Sequence, residues 1–279
     1  MLHETISLRE KFPALKTDAT LQTFVRSISD EIEPDRRRAG VLICPGGAYY
    51  MVSDREAEPV ALEFVARGYN AFVLTYSTAD RTDCRYPDQL LEVSAALAWL
   101  RRSSERYHLK PDSLCVCGFS AGGHLACSLG ALWNEPFVAE TLGLAPGENR
   151  PDGMILAYPV ITGGEYANRA SFDYLLGPDP DPALLQKLSL ENSVGPHTPP
   201  AFIWHTLNDE AVPIQNSFLL SDALQKSGVP FELHIFPTGF HGGSLGTRES
   251  RSPIREHINP HIAQWMDLCG QWIADYIDK

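Results

Sequence analysis

The chain has no excess of basic residues. Lysine and arginine number 23 against 35 aspartates and glutamates, a formal net charge of −12. Nucleic acid and anionic membrane both call for a basic face, so neither is expected as a partner. The one basic run, Arg36-Arg37-Arg38, sits between Pro34-Asp35 and an apolar strand and reads as a solvated loop. No apolar run is long enough to span a bilayer. The opening residues, Met1-Leu2-His3-Glu4-Thr5, lack the basic-then-apolar pattern of a signal peptide, so a cytoplasmic location is expected. Metal-ligand spacing is missing as well. Cys115 and Cys117 form a C-x-C with no partner pair, and no H-E-x-x-H occurs, so no metal is expected. The six cysteines (Cys44, Cys84, Cys115, Cys117, Cys127 and Cys269) fall mostly in apolar runs and read as reduced, small hydrophobes. There is no internal repeat and no low-complexity tract.

What remains is an ordinary globular composition: 279 residues, 44% apolar and 21% charged. That length suits one large α/β domain over residues 1–279. Short β-rich runs alternate with helical stretches. Strands are expected over 19–28, 40–44, 70–76, 113–117, 153–158, 200–205 and 230–236. Helices are expected over 56–67, 87–102, after Gly122, over 214–226 and over 258–277. Continuous apolar strands separated by helices imply an α/β fold with a mostly parallel central sheet covered on both faces. Residues 161–199 break the rhythm, being rich in Gly, Pro and Asp, and read as a small cap-like insertion over the site.

Gly118-Phe119-Ser120-Ala121-Gly122 is G-x-S-x-G, placed between an apolar run and a helix-like run. In that context Ser120 is the candidate nucleophile, held on a tight strand-to-helix turn with its hydroxyl exposed. The bland alternative is a glycine-rich turn with a passive serine. In parallel sheets catalytic groups stand past the carboxyl ends of strands, which directs the search for an acid and a histidine. The strand 201–205 runs into Asn208-Asp209-Glu210, and the strand 231–236 runs into Gly239-Phe240-His241-Gly242. Asp209 is favoured over Glu210, since it comes first and its shorter side chain holds geometry better. His241 would take the proton of Ser120, and Asp209 would orient the imidazole. Taken singly, Asp209 reads equally as a capping residue and His241 as a loop histidine; the ordered combination favours the triad. Oxyanion donors are expected from the amide of Ala121 and from the loop Pro45-Gly46-Gly47-Ala48, with Gly47 and Ala48 as the donors. Tyr49 and Tyr50 are candidates for contacting the acyl group or a sugar ring, with core packing an equal reading.

These segments, together with Tyr86-Pro87-Asp88-Gln89 and Trp204 to Pro213, resemble the α/β-hydrolase superfamily, in particular the bacterial acetylesterase branch related to hormone-sensitive lipase. The resemblance runs from about Ala39 to the C-terminus. Lipase-like members carry His-Gly-Gly-Gly at the oxyanion loop, where this chain has Pro45 and Ala48. The family's donors map onto Gly47 and Ala48, which keep their N–H groups. The resemblance implies an α/β-hydrolase fold and a cofactor-free serine carboxylesterase. Its substrate would be a small-molecule ester, acetyl for preference and carbohydrate among the alcohols. Rival readings are an amidase or formamidase, or a peptidase, on the same triad, and a non-catalytic binding protein on this fold. Peptidases of this fold usually carry a large N-terminal domain, and only about 40 residues precede the oxyanion strand, which argues against the peptidase. A homodimer is compatible with the sequence, though no segment marks an interface.

Overall fold

The structure, a computed structural model, describes residues 1–254 and 257–278. Among the described residues eight strands form one sheet: β1 Thr5–Ser7, β2 Thr20–Phe24, β3 Arg38–Cys44, β4 Asn70–Thr75, β5 Leu109–Phe119, β6 Gly153–Ala157, β7 Ala201–Thr206 and β8 Phe231–Phe236. Their order is β1-β2-β4-β3-β5-β6-β7-β8. β1 and β2 run antiparallel to their neighbours, and β3 to β8 are all parallel.

The unbroken apolar runs of the central strands have a simple cause: both faces are covered. Side chains alternate between two cores. Leu42, Val116, Leu156 and Ile203 enter one, beneath the helices Asp88–Arg102, Ala121–Leu132 and Gln215–Lys226. Ile43, Cys117, Ile155 and Trp204 enter the other, against Glu58–Ala66 and Trp265–Tyr276. Strand order and two-sided covering make this an α/β-hydrolase fold. All six cysteines are buried, and none is in a disulfide among the described residues. Burial raises their thiols above the ordinary range, with Cys84 pushed up to about 11, which keeps them protonated and inert.

Several elements differ from the sequence expectation. The early strand is shorter than 19–28 and pairs with a further strand, β1. A further helix, Pro136–Leu142, follows the Ala121–Leu132 helix. The terminal helix is two pieces, Pro260–Ala263 and Trp265–Tyr276. Segment 161–199 holds the helices Arg169–Leu176 and Pro182–Leu188 and is pinned to the body of the fold. Buried Asn216 accepts the amides of Ile161 and Thr162 at 2.8 and 3.0 Å and donates to Tyr166 O at 2.9 Å. Asn168 donates to Ala211 O at 2.9 Å, and His124 Nε2 bonds Leu188 O at 2.8 Å. Among the described residues no helix is long and apolar enough to cross a membrane.

Candidate active site

Four loops meet where the parallel strands end. They follow β3, β5, β7 and β8, and they carry, in that order, Gly47, Ser120, Asp209 and His241. Ser120 has φ 54° and ψ −120°, a conformation that costs energy in a residue with a Cβ. Its surroundings over-determine it. Its amide donates to Ala157 O at 3.0 Å, and its carbonyl accepts from His124 and Val160 at 3.1 and 3.0 Å. The turn can be this tight because Gly122 has no side chain. A Cβ there would lie 2.1 Å from Cys44 O and 2.4 Å from Pro45 O, both backbone atoms.

Ser120 Oγ lies 2.8 Å from His241 Nε2, and His241 Nδ1 lies 2.7 Å from Asp209 Oδ2. Asp209 Oδ1 accepts the amides of Ala211 and Val212, each at 2.9 Å. Burial by itself would raise the Asp209 carboxyl. The imidazole N–H groups of His205 and His241 and the Val212 amide outweigh it, holding the acid well below the usual carboxylate range. His241 is the nearer of the two imidazoles. His205 Nε2 is 3.5 Å from Oδ2 and bonds Val212 O at 3.0 Å, so it braces the acid loop. Glu210, the competing acid, is exposed. An ionised carboxylate on Nδ1 leaves the Nε2 lone pair facing the hydroxyl, the arrangement needed to withdraw its proton.

Gly47, Ala48 and Tyr49 have φ values of 133°, 56° and 59°. Only Gly47 could occupy its position, since a Cβ there would lie 2.0 Å from Met51 O. Among the described residues the amides of Gly47, Ala48 and Ala121 have no partner within the protein. Gly46, in contrast, gives its amide to Glu56 Oε2 at 2.8 Å. Gly47, Ala48, Ser120 and His241 all line one open cleft of about 500 Å³.

The two tyrosines separate. Tyr50 is 47% exposed, lines the cleft and packs against Tyr174, with ring centroids 5.1 Å apart. Tyr49 is 1% exposed and its hydroxyl bonds His124 Nδ1 at 2.8 Å. The expectation that Tyr49 touches substrate is therefore corrected: its ring is core, beneath the loop. Asn168 and Tyr174, from segment 161–199, also line the cleft, as do Arg55 and Glu56 from the turn Asp54–Glu56. None of these four was singled out from the sequence. The Gly/Pro-rich insertion was the signal for the first two, and no motif marks the others.

Comparison with known proteins agrees with this architecture. A family model described as BD-FAE matches residues 33–224. The endo-1,4-beta-xylanase B of Butyrivibrio fibrisolvens is 40% identical over 221 residues, covering 77% of this chain and 34% of that protein. The acetylxylan esterase of Xylanibacter ruminicola is 31% identical over 211 residues, covering 73% of this chain and 40% of that protein. The chain thus spans well under half the length of these curated relatives. A solved structure, the acetyl ester-xyloside bifunctional hydrolase from Caldicellulosiruptor lactoaceticus, is 34% identical with a TM-score of 0.82, covering 98% of this chain and 96% of that one. With the family match extending over more than half its length and a solved relative superposing end to end, the chain belongs to the BD-FAE family, in the esterase-like branch of the α/β-hydrolases.

Proposed function

We propose that this chain is a serine carboxylesterase that removes short acyl groups, acetyl foremost, from small esters including those of carbohydrates. One observation carries the reading: the unbroken hydrogen-bond chain from Ser120 through His241 to Asp209 opens onto a cleft also lined by Gly47 and Ala48, whose amides have no partner among the described residues. In the proposed reaction His241 Nε2 takes the Ser120 proton as Oγ attacks the ester carbonyl. The carbonyl oxygen becomes an oxyanion, and the amides of Gly47, Ala48 and Ala121 are its donors. Collapse breaks the bond to the alcohol, which leaves with the proton held by His241. Water then repeats the sequence on the acyl-enzyme, releasing the acid and restoring Ser120. The triad itself needs no cofactor.

Acetyl and carbohydrate are supported by the printed names of the relatives, which include an acetylxylan esterase and an acetyl ester-xyloside hydrolase. The exposed ring of Tyr50 beside Tyr174 suits stacking on a sugar, and segment 161–199, read as a small cap, supplies that wall of the cleft. The test is turnover of p-nitrophenyl acetate, butyrate and octanoate by the wild type and by Ser120→Ala. The expected result is a steep fall with chain length and a loss of about 10⁴-fold or more in the variant. Comparable turnover by Ser120→Ala would overturn the nucleophile. Absence of turnover on every ester would move the reading to an amide or formamide.

A further inference from the structure

The proposed chemistry needs two loops at a fixed separation. One presents the amides of Gly47 and Ala48; the other presents His241. The turn Asp54–Glu56 lies between them and bonds to both. Glu56 is 2% exposed. Its Oε2 accepts Gly46 N at 2.8 Å, and its Oε1 accepts the Tyr158 hydroxyl at 2.7 Å. Tyr158 Oη in turn accepts Ser244 N at 2.9 Å, and its ring stands edge-on to His241 with centroids 5.0 Å apart. The neighbouring residue repeats the pattern. Arg55 Nη1 donates to Gly242 O at 2.7 Å, and Arg55 O accepts Ser244 Oγ at 2.8 Å. Ser53 N donates to Gly46 O at 2.9 Å.

Two of the residues in this network hold left-handed backbone: Tyr158 with φ 38° and Ser244 with φ 49°. Such conformations persist only where surrounding bonds enforce them. The carboxylate is also close to the nucleophile. A Cβ added at Gly46 would lie 2.7 Å from Glu56 Oε2 and 3.0 Å from Ser120 Cβ. Both donors to Glu56 are neutral groups, Gly46 N and the Tyr158 hydroxyl. A negative charge beside a developing oxyanion brings no electrostatic advantage. What the carboxylate does supply is two acceptor oxygens, one for Gly46 of the oxyanion loop and one for Tyr158, whose hydroxyl in turn accepts Ser244 N of the His241 loop.

We infer that Glu56 is a positioning residue whose carboxylate sets the separation between the oxyanion-loop amides and the imidazole of His241. The inference rests on the serine-esterase reading above. It concerns alignment in the transition state, so its loss falls on kcat rather than KM.

The test uses the full chain, p-nitrophenyl acetate, and kcat expressed per active site titrated with an organophosphate, with Ser120→Ala, which cannot be titrated, expressed per protein concentration. Four variants are compared with wild type: Glu56→Gln, Tyr158→Phe, the double variant, and Ser120→Ala. Glutamine keeps the shape and can still accept Gly46 N, but it turns an amide donor toward Tyr158, whose hydroxyl then loses its acceptor. Tyr158→Phe leaves the Glu56–Gly46 bond in place, so the inference stays testable if the Glu56 variant folds poorly. Each single variant is expected to lower kcat about 10- to 100-fold with KM changed by no more than about twofold. The double variant is expected to be no worse than the poorer single one, because both cut the same link. Wild-type kcat in folded Glu56→Gln, or losses that multiply in the double variant, would overturn the positioning role. Turnover surviving in Ser120→Ala would instead refute the serine-esterase reading on which it rests.

Discussion

Both oxygens of Asp209 are engaged by donors that require an ionised acid: two loop amides on Oδ1 and His241 Nδ1 on Oδ2. Asp209→Asn keeps the shape but disturbs the tautomer of His241. The expected outcome is a fall in kcat of about 10⁴-fold with an unchanged circular dichroism spectrum. His124 gives a prediction of a different kind. Leu188 O can only accept, so Nε2 carries the proton and Nδ1 accepts from Tyr49 Oη. Burial pushes His124 from an ordinary 6.5 down to about 4. Between those values the unfolded chain binds a proton that the folded chain refuses. The stability this histidine contributes is therefore intact above pH 6.5 and is lost as pH falls toward 4, by about 3 kcal/mol in all. Urea unfolding at stepped pH should show that loss in the wild type and a flatter profile in His124→Gln; parallel profiles would contradict it. The same neighbourhood explains why the two tyrosines part, one to each of the two readings open to both. Tyr49 and Tyr50 are adjacent in sequence and equivalent in composition. Left-handed backbone at Ala48 and Tyr49 sends one ring into the core and the other to the cleft, and residue type alone does not encode that choice.

At the level of elements, the strand–turn–helix around Ser120 was legible because its constraints are local. Gly118 and Gly122 are there because backbone fills the space a Cβ would need. Gly122→Ala should push the helix off Cys44 O and Pro45 O, lowering stability by about 2–3 kcal/mol and lowering kcat as the oxyanion loop shifts. Thermal melts and steady-state rates on one preparation would check both. Segment 161–199 is pinned in part by the buried side chain of Asn216. Removing the Asn216 amide strands the N–H groups of Ile161 and Thr162, so Asn216→Ala should destabilise the fold by about 2–3 kcal/mol in urea unfolding. The elements not legible from periodicity are short. β1 is three residues long, too short for alternation to show. The helix Pro136–Leu142 does carry its own start and stop, Pro136 at its first position and Gly143 with φ 63° at its end.

Across the whole molecule, parallel topology made the candidate site readable. It brings the loops after β3, β5, β7 and β8 to one edge, so residues far apart in sequence share a predictable place. Ser120, Asp209 and His241 could be picked from the sequence because each follows an apolar strand, and the structure brings those three into hydrogen-bond contact. Glu56 and Arg55 could not be picked that way. They lie on a turn before a helix, and their partners Tyr158, Gly242 and Ser244 emerge only once the sheet is assembled. The most direct test of the central claim is covalent labelling. The protein would be treated with one equivalent of diethyl p-nitrophenyl phosphate, and the adduct located by peptide mass spectrometry. The account predicts a single diethylphosphoryl group on Ser120, esterase activity lost in proportion to its occupancy, and much slower labelling in Asp209→Asn. A protein that turns over esters while Ser120 stays unmodified, or whose activity is lost to an adduct elsewhere, would contradict it.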